Sequence, residues 1–320
     1  MTFMSWFEGL SELSAEVIRA IRGPDCPAKI AIGQLVVAAN EVGHCQFLDR
    51  TSADINTVAR LHSPEPFSSF NEQFRSAVLL KPGKPFGLAA ELECPALEQF
   101  CSPRSFGAVT LDIREITCLS ASKGPLASSE TLDDFAVSEC RREIGSGTSE
   151  QLEACLRYYG VRLASPFKDD GEELVAVAWS GGTICWPNSD GSHHFAAARY
   201  IAGVLQQPVP ITASLTSYSI SHEAVAMLAQ DFFAWVMPDH DKTWLFIRMI
   251  HQYGLEVGIA TMPRPYRNKL LILLPRGSAG ASQVKSMITA SGATPFSLFT
   301  DIWLEQQRQA AERCPTWFAS

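Results

Sequence analysis

Gly181-Gly182-Thr183-Ile184-Cys185-Trp186-Pro187-Asn188-Ser189-Asp190-Gly191-Ser192-His193-His194-Phe195-Ala196-Ala197-Ala198-Arg199, with its continuation to Leu215, decides how this chain reads. Just before it, Leu174 to Trp179 is an unbroken apolar run, short enough for a buried strand. Ser180-Gly181-Gly182 is turn chemistry and Thr183 to Trp186 is β-prone again, so the two runs predict a hairpin. Pro187 to Gly191 then breaks the strand. Asp190 can bond forward to backbone N–H groups, and Gly191 can take a positive φ. Asp190 or Ser192 is placed to cap a following helix whose apolar face is Phe195, Ala196, Ala197, Tyr200, Ile201 and Val204. Gly203 and the run to Pro208 end it, and Val209 to Leu215 reads as a returning strand.

A strand, a glycine turn and a helix start together make an anion site. The first amides of a helix lack intrahelical acceptors, and the positive end of the helix dipole points the same way. Asp190, Gly191 and Ser192 would shape that site, and His193, His194 and Arg199 would add donors to phosphate oxygens. His193 is the best general acid or base in the stretch, because imidazole titrates near neutrality. The adjacent pair His193-His194 diverges on a helix and cannot converge on one ion, so no metal site is expected there.

The order Asp190-Gly191-x-His193-x-x-x-Ala197-Ala198, followed by a short helix and a Val-Pro strand, resembles the ParB/sulfiredoxin-like superfamily, which includes ParB-like nucleases. The motif of that superfamily is usually written Asp-Gly-x-His-Arg-x-x-Ala-Ala, and its loop and helix start hold nucleotide phosphates. Asp190, Gly191, His193, Ala197 and Ala198 match it, while the arginine of the motif falls on His194. A neutral imidazole is a weaker phosphate partner than a guanidinium fork. The resemblance spans roughly Phe106 to Leu215 and implies a phosphate ligand, either a nucleotide with Mg²⁺ or a nucleic acid. It also implies nuclease or nucleotide-hydrolase chemistry, with Asp112 and Glu115 near the place where related enzymes keep catalytic groups after their first strand.

The expected fold is therefore mixed α/β: a mostly helical region over 1–105, a ParB/sulfiredoxin-like core over 106–217 and an α/β extension over 218–320. Within the core, Phe106 to Ile113 and Ile116 to Leu119 read as strands. Ser120 to Gly147 reads as a long loop with one short helix near Leu132, and Ser149 caps a helix running to Tyr159. In the first region, 5–22 and 52–61 read as helices and 28–39 as helix or strand. In the last, His222 to Val236 reads as one helix, Lys242 to Tyr253 as the next, Leu255 to Ala260 and Lys269 to Leu274 as strands, and Ser282 to Ala290 and Phe299 to Arg313 as helices. The basic and amide-rich recognition helix expected of DNA-binding relatives is missing.

With 320 residues, 46% of them apolar and 19% charged, the composition is that of a soluble globular protein of about two domains. A net charge of −8 argues against a generally basic nucleic-acid coat and leaves room for a local phosphate contact. No apolar run is long enough to span a bilayer and no secretory signal is visible, so no membrane partner is expected. Nine cysteines without a Cys-x-x-Cys pair fit a reduced, cytoplasmic compartment.

Three lesser features read most simply as structure. Gly277 to Ser282 lacks a P-loop ending, Arg264-Pro265-Tyr266-Arg267 is a basic turn, and Asp239-His240-Asp241 is a helix cap. Two further functional classes stand beside phosphate binding. One is a non-catalytic protein that binds a protein partner and keeps the fold; the other is a phosphotransferase acting on a small metabolite.

Overall fold

The structure is a computed structural model, and it describes residue 74 and residues 77–318 with short breaks, the longest at 165–171. The helices read at 5–22 and 52–61 and the helix or strand read at 28–39 lie outside the described residues.

Two sheets organise the chain. The first is built from β3 (Cys101–Asp112), β4 (Ile116–Leu119), β5 (Glu173–Val177), β6 (Thr183–Trp186) and β7 (Pro210–Ile220), in the spatial order β3-β7-β5-β6-β4. The β5–β6 hairpin is antiparallel, with Val175 opposite Cys185, while β5 runs parallel to β7 and β4 parallel to β6. Period-two alternation sends Leu174, Ala176, Ile184, Trp186, Ile211, Ala213 and Leu215 to one face. It sends Val175, Val177, Cys118 and Cys185 to the other.

The first face is covered by α2 (Leu132–Glu139), α3 (Arg141–Ile144), α4 (Ser149–Leu156) and α5 (Ser192–Val204). Three successive alanines, Ala196 to Ala198, are fully buried on α5 and let its backbone lie close to its neighbours. The cap of α4 is Thr148, whose hydroxyl accepts from the Gln151 amide, and not Ser149. The segment read as a long loop with one short helix near Leu132 holds that helix, α2, and a second one, α3.

The second sheet is antiparallel throughout, in the order β11-β8-β10-β9-β1-β2. Its strands are β1 (Val78–Leu80), β2 (Ala90–Glu91), β8 (Phe232–Pro238), β9 (Val257–Thr261), β10 (Lys269–Pro275) and β11 (Thr294–Pro295). Residues from the start and the end of the described chain therefore share one sheet. The helix read over His222 to Val236 stops at Asp231: α6 (His222–Asp231) gives way to β8. Phe232 to Met237 is aromatic and β-prone, and a full ladder with β10 overrides the apolar continuity with α6. That strand also separates α6 from α7 (Asp241–Gln252), which rules out a helix-turn-helix at this place.

Between the sheets lie α1 (Pro95–Glu98), α6 and the first turns of α9 (Phe296–Arg313). Phe74, Phe100, Phe296, Phe299 and Trp303 interlock there largely edge to face, with the Phe74 and Phe100 rings 5.2 Å apart. The buried amide of Gln307 accepts from the Ile220 N–H at 2.8 Å and donates to its carbonyl at 3.0 Å, closing the end of β7. The far face of the second sheet is covered by α7 and α8 (Ala281–Ala290). A short last helix, α10 (Pro315–Phe318), brings Phe318 over Gly182 at the β5–β6 turn.

Candidate functional site

The parallel pair β4 and β6 ends on one side of the first sheet, and the two loops that leave it are tied together by one side chain. Asn188 is buried; its oxygen accepts from the amides of Ser120 and Ala121 at 3.1 and 3.2 Å. Its nitrogen donates to the carbonyls of Ala121 and Asp190 at 2.9 and 3.2 Å. All four bonding positions of the carboxamide are used, which fixes the 120–124 loop against the Asp190 turn.

Gly191 takes φ +75° at the N-cap of α5, and its α-carbon packs on the backbone of buried Gly160. A β-carbon at Gly191 would come 2.3 Å from the Gly160 carbonyl oxygen. Both the left-handed backbone and the close approach demand glycine. Because the cap has no side chain, α5 begins without a side-chain cap bond. The starts of α2, α4 and α6, by contrast, are closed by Thr131, Thr148 and Ser221. No acceptor among the described residues takes the Ser192, His193 or His194 amides.

Side chains gather at this helix start. The hydroxyl of Ser192 donates to that of Ser122 at 3.0 Å and lies 3.5 Å from Nδ1 of His193. Ser122 also accepts from the Gly124 amide at 3.1 Å, and exposed Lys123 lies between them in sequence. The His193 ring sits 5.4 Å from that of Phe135, while His194 stacks on Tyr158 at 3.7 Å and 5°. The two imidazoles thus pack against different neighbours. Burial holds His194 below the ordinary histidine value, against an opposing pull from the Glu143 carboxylate. Tyr158 is pushed up to about 12, first by its hydrogen bond to Tyr159 and then by burial.

Three sequence candidates are not brought to this turn. Arg199 lies two turns into α5 and each nitrogen of its guanidinium is engaged: Nε donates to the Ile116 carbonyl at 2.8 Å, Nη2 to that of Arg114 at 3.1 Å, and Nη1 pairs with Asp133. It staples the start of β4 to α2 and is not available to a phosphate at Gly191. Asp112 and Glu115 sit before β4, at the end of that strand opposite the Asp190 turn. Asp112 accepts from the Arg114 amide at 2.9 Å, pairs with the Arg114 guanidinium at 2.7 Å and meets the Val209 amide at 3.3 Å. Glu115 accepts from the Asp112 amide at 2.8 Å. The arrangement is a reciprocal capping box, and the Arg114 hydrogen bond above all keeps Asp112 below the usual carboxylate range. The set His193, Asp112 and Glu115 is therefore not an assembled catalytic group; of the three, only His193 stands at the turn.

Ser122, Gly160, Tyr158 and Asn188 belong to the site and were not legible as such. An asparagine between a strand and an Asp-Gly turn is a fair signal for Asn188. The other three come from segments whose approach depends on long-range packing. Among the described residues no group of three or more His, Cys, Asp or Glu side chains could hold a metal ion, and no helix is long and apolar enough to cross a membrane. The described cysteines are free thiols, all buried except half-buried Cys314. Tyr266 of the basic turn is buried beside Phe299 and Trp303, while Arg264 and Arg267 lie outside the described residues.

Fold and site define a mixed α/β protein of two sheets with an uncapped helix start at the carboxyl ends of two parallel strands. A family model matches residues 107–312, well over half of the chain, and the chain belongs to that family, DUF6685, a family of unknown function. No curated protein and no solved structure matches it.

Proposed function

We propose that this chain binds a phosphate group, carried by a nucleotide or a nucleic acid, at the start of α5. One observation carries the proposal: α5, a helix of 13 residues, begins at a glycine with no cap, beside the hydroxyls of Ser122 and Ser192 and the imidazole of His193. Open amides at the positive end of a helix dipole favour an oxyanion, and hydroxyl and imidazole donors add directional bonds. The resemblance of Asp190-Gly191-x-His193 to the ParB/sulfiredoxin-like motif supports the same ligand class. A nucleotide bound with Mg²⁺ would bring its own metal.

The reading is binding without hydrolysis. Asp112 and Glu115 are committed to a cap at the other end of β4, which leaves His193 as the one acid–base group of the three at the turn. The same observation favours an interaction protein that keeps the fold as the second reading; no feature selects a metabolite phosphotransferase.

Calorimetric titration with CTP, ATP, ADP and inorganic phosphate, with and without Mg²⁺, tests the proposal. Saturable binding lost in Ser192→Ala/His193→Ala is the expected result. No heat with any of these ligands, together with no retention of single-stranded or duplex DNA, would leave the interaction reading in its place.

A further inference from the structure

β4 is an edge strand of the first sheet, four residues long, and among the described residues it pairs with β6 alone. That pairing is irregular. Ile116 stands opposite Ile184, but Cys118, and not Thr117, stands opposite Cys185. The extra residue turns the Cys118 side chain onto the face that Cys185 shares, towards the second sheet. Both side chains are buried and their thiols hydrogen-bond each other. The S–H of Cys118 donates to the Leu119 carbonyl at 3.7 Å, which leaves Cys185 as the donor between the two sulfurs. Cys101, the other cysteine in a described strand, stands opposite Ile220. Neighbouring strands lie about 4.8 Å apart, within the range of about 4.4–6.8 Å between α-carbons that a disulfide spans.

We propose that Cys118 and Cys185 are a redox pair, which a small-molecule disulfide of the glutathione class closes into a covalent brace between β4 and β6. A short parallel edge strand with one partner is among the first parts of a sheet to open. Opening of β4 bares the Cys118 sulfur, which burial otherwise shields. Its thiolate attacks oxidised glutathione, forming a mixed disulfide and expelling one glutathione thiolate. When β4 pairs again, the Cys185 thiolate attacks the Cys118 sulfur and expels the second glutathione. Two electrons pass from the cysteines to the glutathione disulfide, and the two cysteine protons end on the released glutathiones. Cys118 stands two residues before Ser120 and Cys185 three before Asn188, so the bond lies at the foot of the two loops that Asn188 ties together. Once it is made, β4 can no longer lift from β6.

Incubation of the folded full chain with excess oxidised glutathione, then acid quench, denaturing alkylation and non-reducing peptide mapping, tests this. A peptide pair linked through Cys118 and Cys185 is expected. The thermal midpoint should rise by about 5 °C or more, because the bond closes a long loop of the unfolded chain. Dithiothreitol should reverse both changes. Cys118→Ala and Cys185→Ala should each form no such link and show no rise, while Cys140→Ala, which removes a buried thiol from the other face of the sheet, should still form it. A wild type that forms no link, a link between other cysteines in its place, or a linked protein whose midpoint does not rise would each overturn the proposal.

Discussion

The turns at Asp112 and Asp190 both begin with an aspartate and lead into helical backbone, and one is closed while the other is open. At Asp112 the carboxylate takes the Arg114 amide, the Arg114 guanidinium and the Val209 amide, while Glu115 returns a bond to Asp112. At Asp190 the residue contributes its carbonyl to Asn188, the cap position passes to Gly191, and the first amides of α5 meet no acceptor among the described residues. One acidic turn is spent on holding β3, β4 and β7 together. The other is held from outside, by Asn188 and Gly160, so that its own donors stay open. An aspartate in a turn thus says little about function until the destinations of its neighbours' hydrogen bonds are known.

The sharpest way to break this comparison is at Gly191. Gly191→Ala must find room 2.3 Å from the Gly160 oxygen at φ +75°. It should cost about 3–4 kcal/mol in denaturant unfolding. A loss below about 1 kcal/mol would mean that the two glycine backbones part easily. Next comes Asn188→Ala, which strips partners from the Ala121 amide and from the carbonyls of Ala121 and Asp190 in a buried place. A loss of about 2–3 kcal/mol is expected, together with weakened phosphate binding as the two loops part. Unchanged stability would show that Asn188 does not hold them.

Asp112→Ala should be milder, about 1–2 kcal/mol from a lost cap and ion pair. Phosphate affinity should not change, because the residue lies at the far end of β4. A drop in affinity would restore Asp112 to the site. The pH dependence has a definite sign. With its folded value depressed by Arg114, the Asp112 contribution is complete above the ordinary aspartate value of about 3.9 and is lost as pH falls through the folded value. Acid unfolding of the Asp112→Ala protein should therefore begin from a lower, flatter plateau.

The smallest effect concerns His194. Burial lowers its pKa, so the ring is neutral at pH 7 and gains charge only below the ordinary histidine range of about 6.5. Phosphate affinity should rise a few-fold as pH drops through that lowered value. His194→Arg can keep the stack on Tyr158 while adding a permanent guanidinium, so it should raise affinity at pH 7 by roughly tenfold, or about 1.4 kcal/mol, and abolish the rise. Titrations at pH 5.5 and 7.5 on both proteins check this; parallel curves would remove His194 from the site.

How much was legible follows from the range of the forces involved. The β5–β6 hairpin, the break at Pro187, the positive φ of Gly191, α5 and the start of β7 were all set by neighbours in sequence: apolar runs, Gly-Gly and Asp-Gly turns, and a run of alanines. β8 was misread because Phe232 to Met237 continues the apolar text of α6, and only seven cross-strand partners on β10 make a strand of it. Arg199 was misassigned for a related reason. A long cation beside a helix start reads as a phosphate ligand until the carbonyls of Arg114 and Ile116 and the carboxylate of Asp133, all distant in sequence, arrive to claim it.

Sequence alone, then, determined the hairpin, the glycine turn and the helix that starts from it, because backbone sterics and local hydrogen bonding act over a few residues. Tertiary structure decided which turn is closed and which is open, that Arg199 is held away from the turn, and that the first described strands join the last sheet. Those outcomes depend on which donor finds which acceptor across 66 to 111 residues of chain, and no local pattern encodes such a meeting.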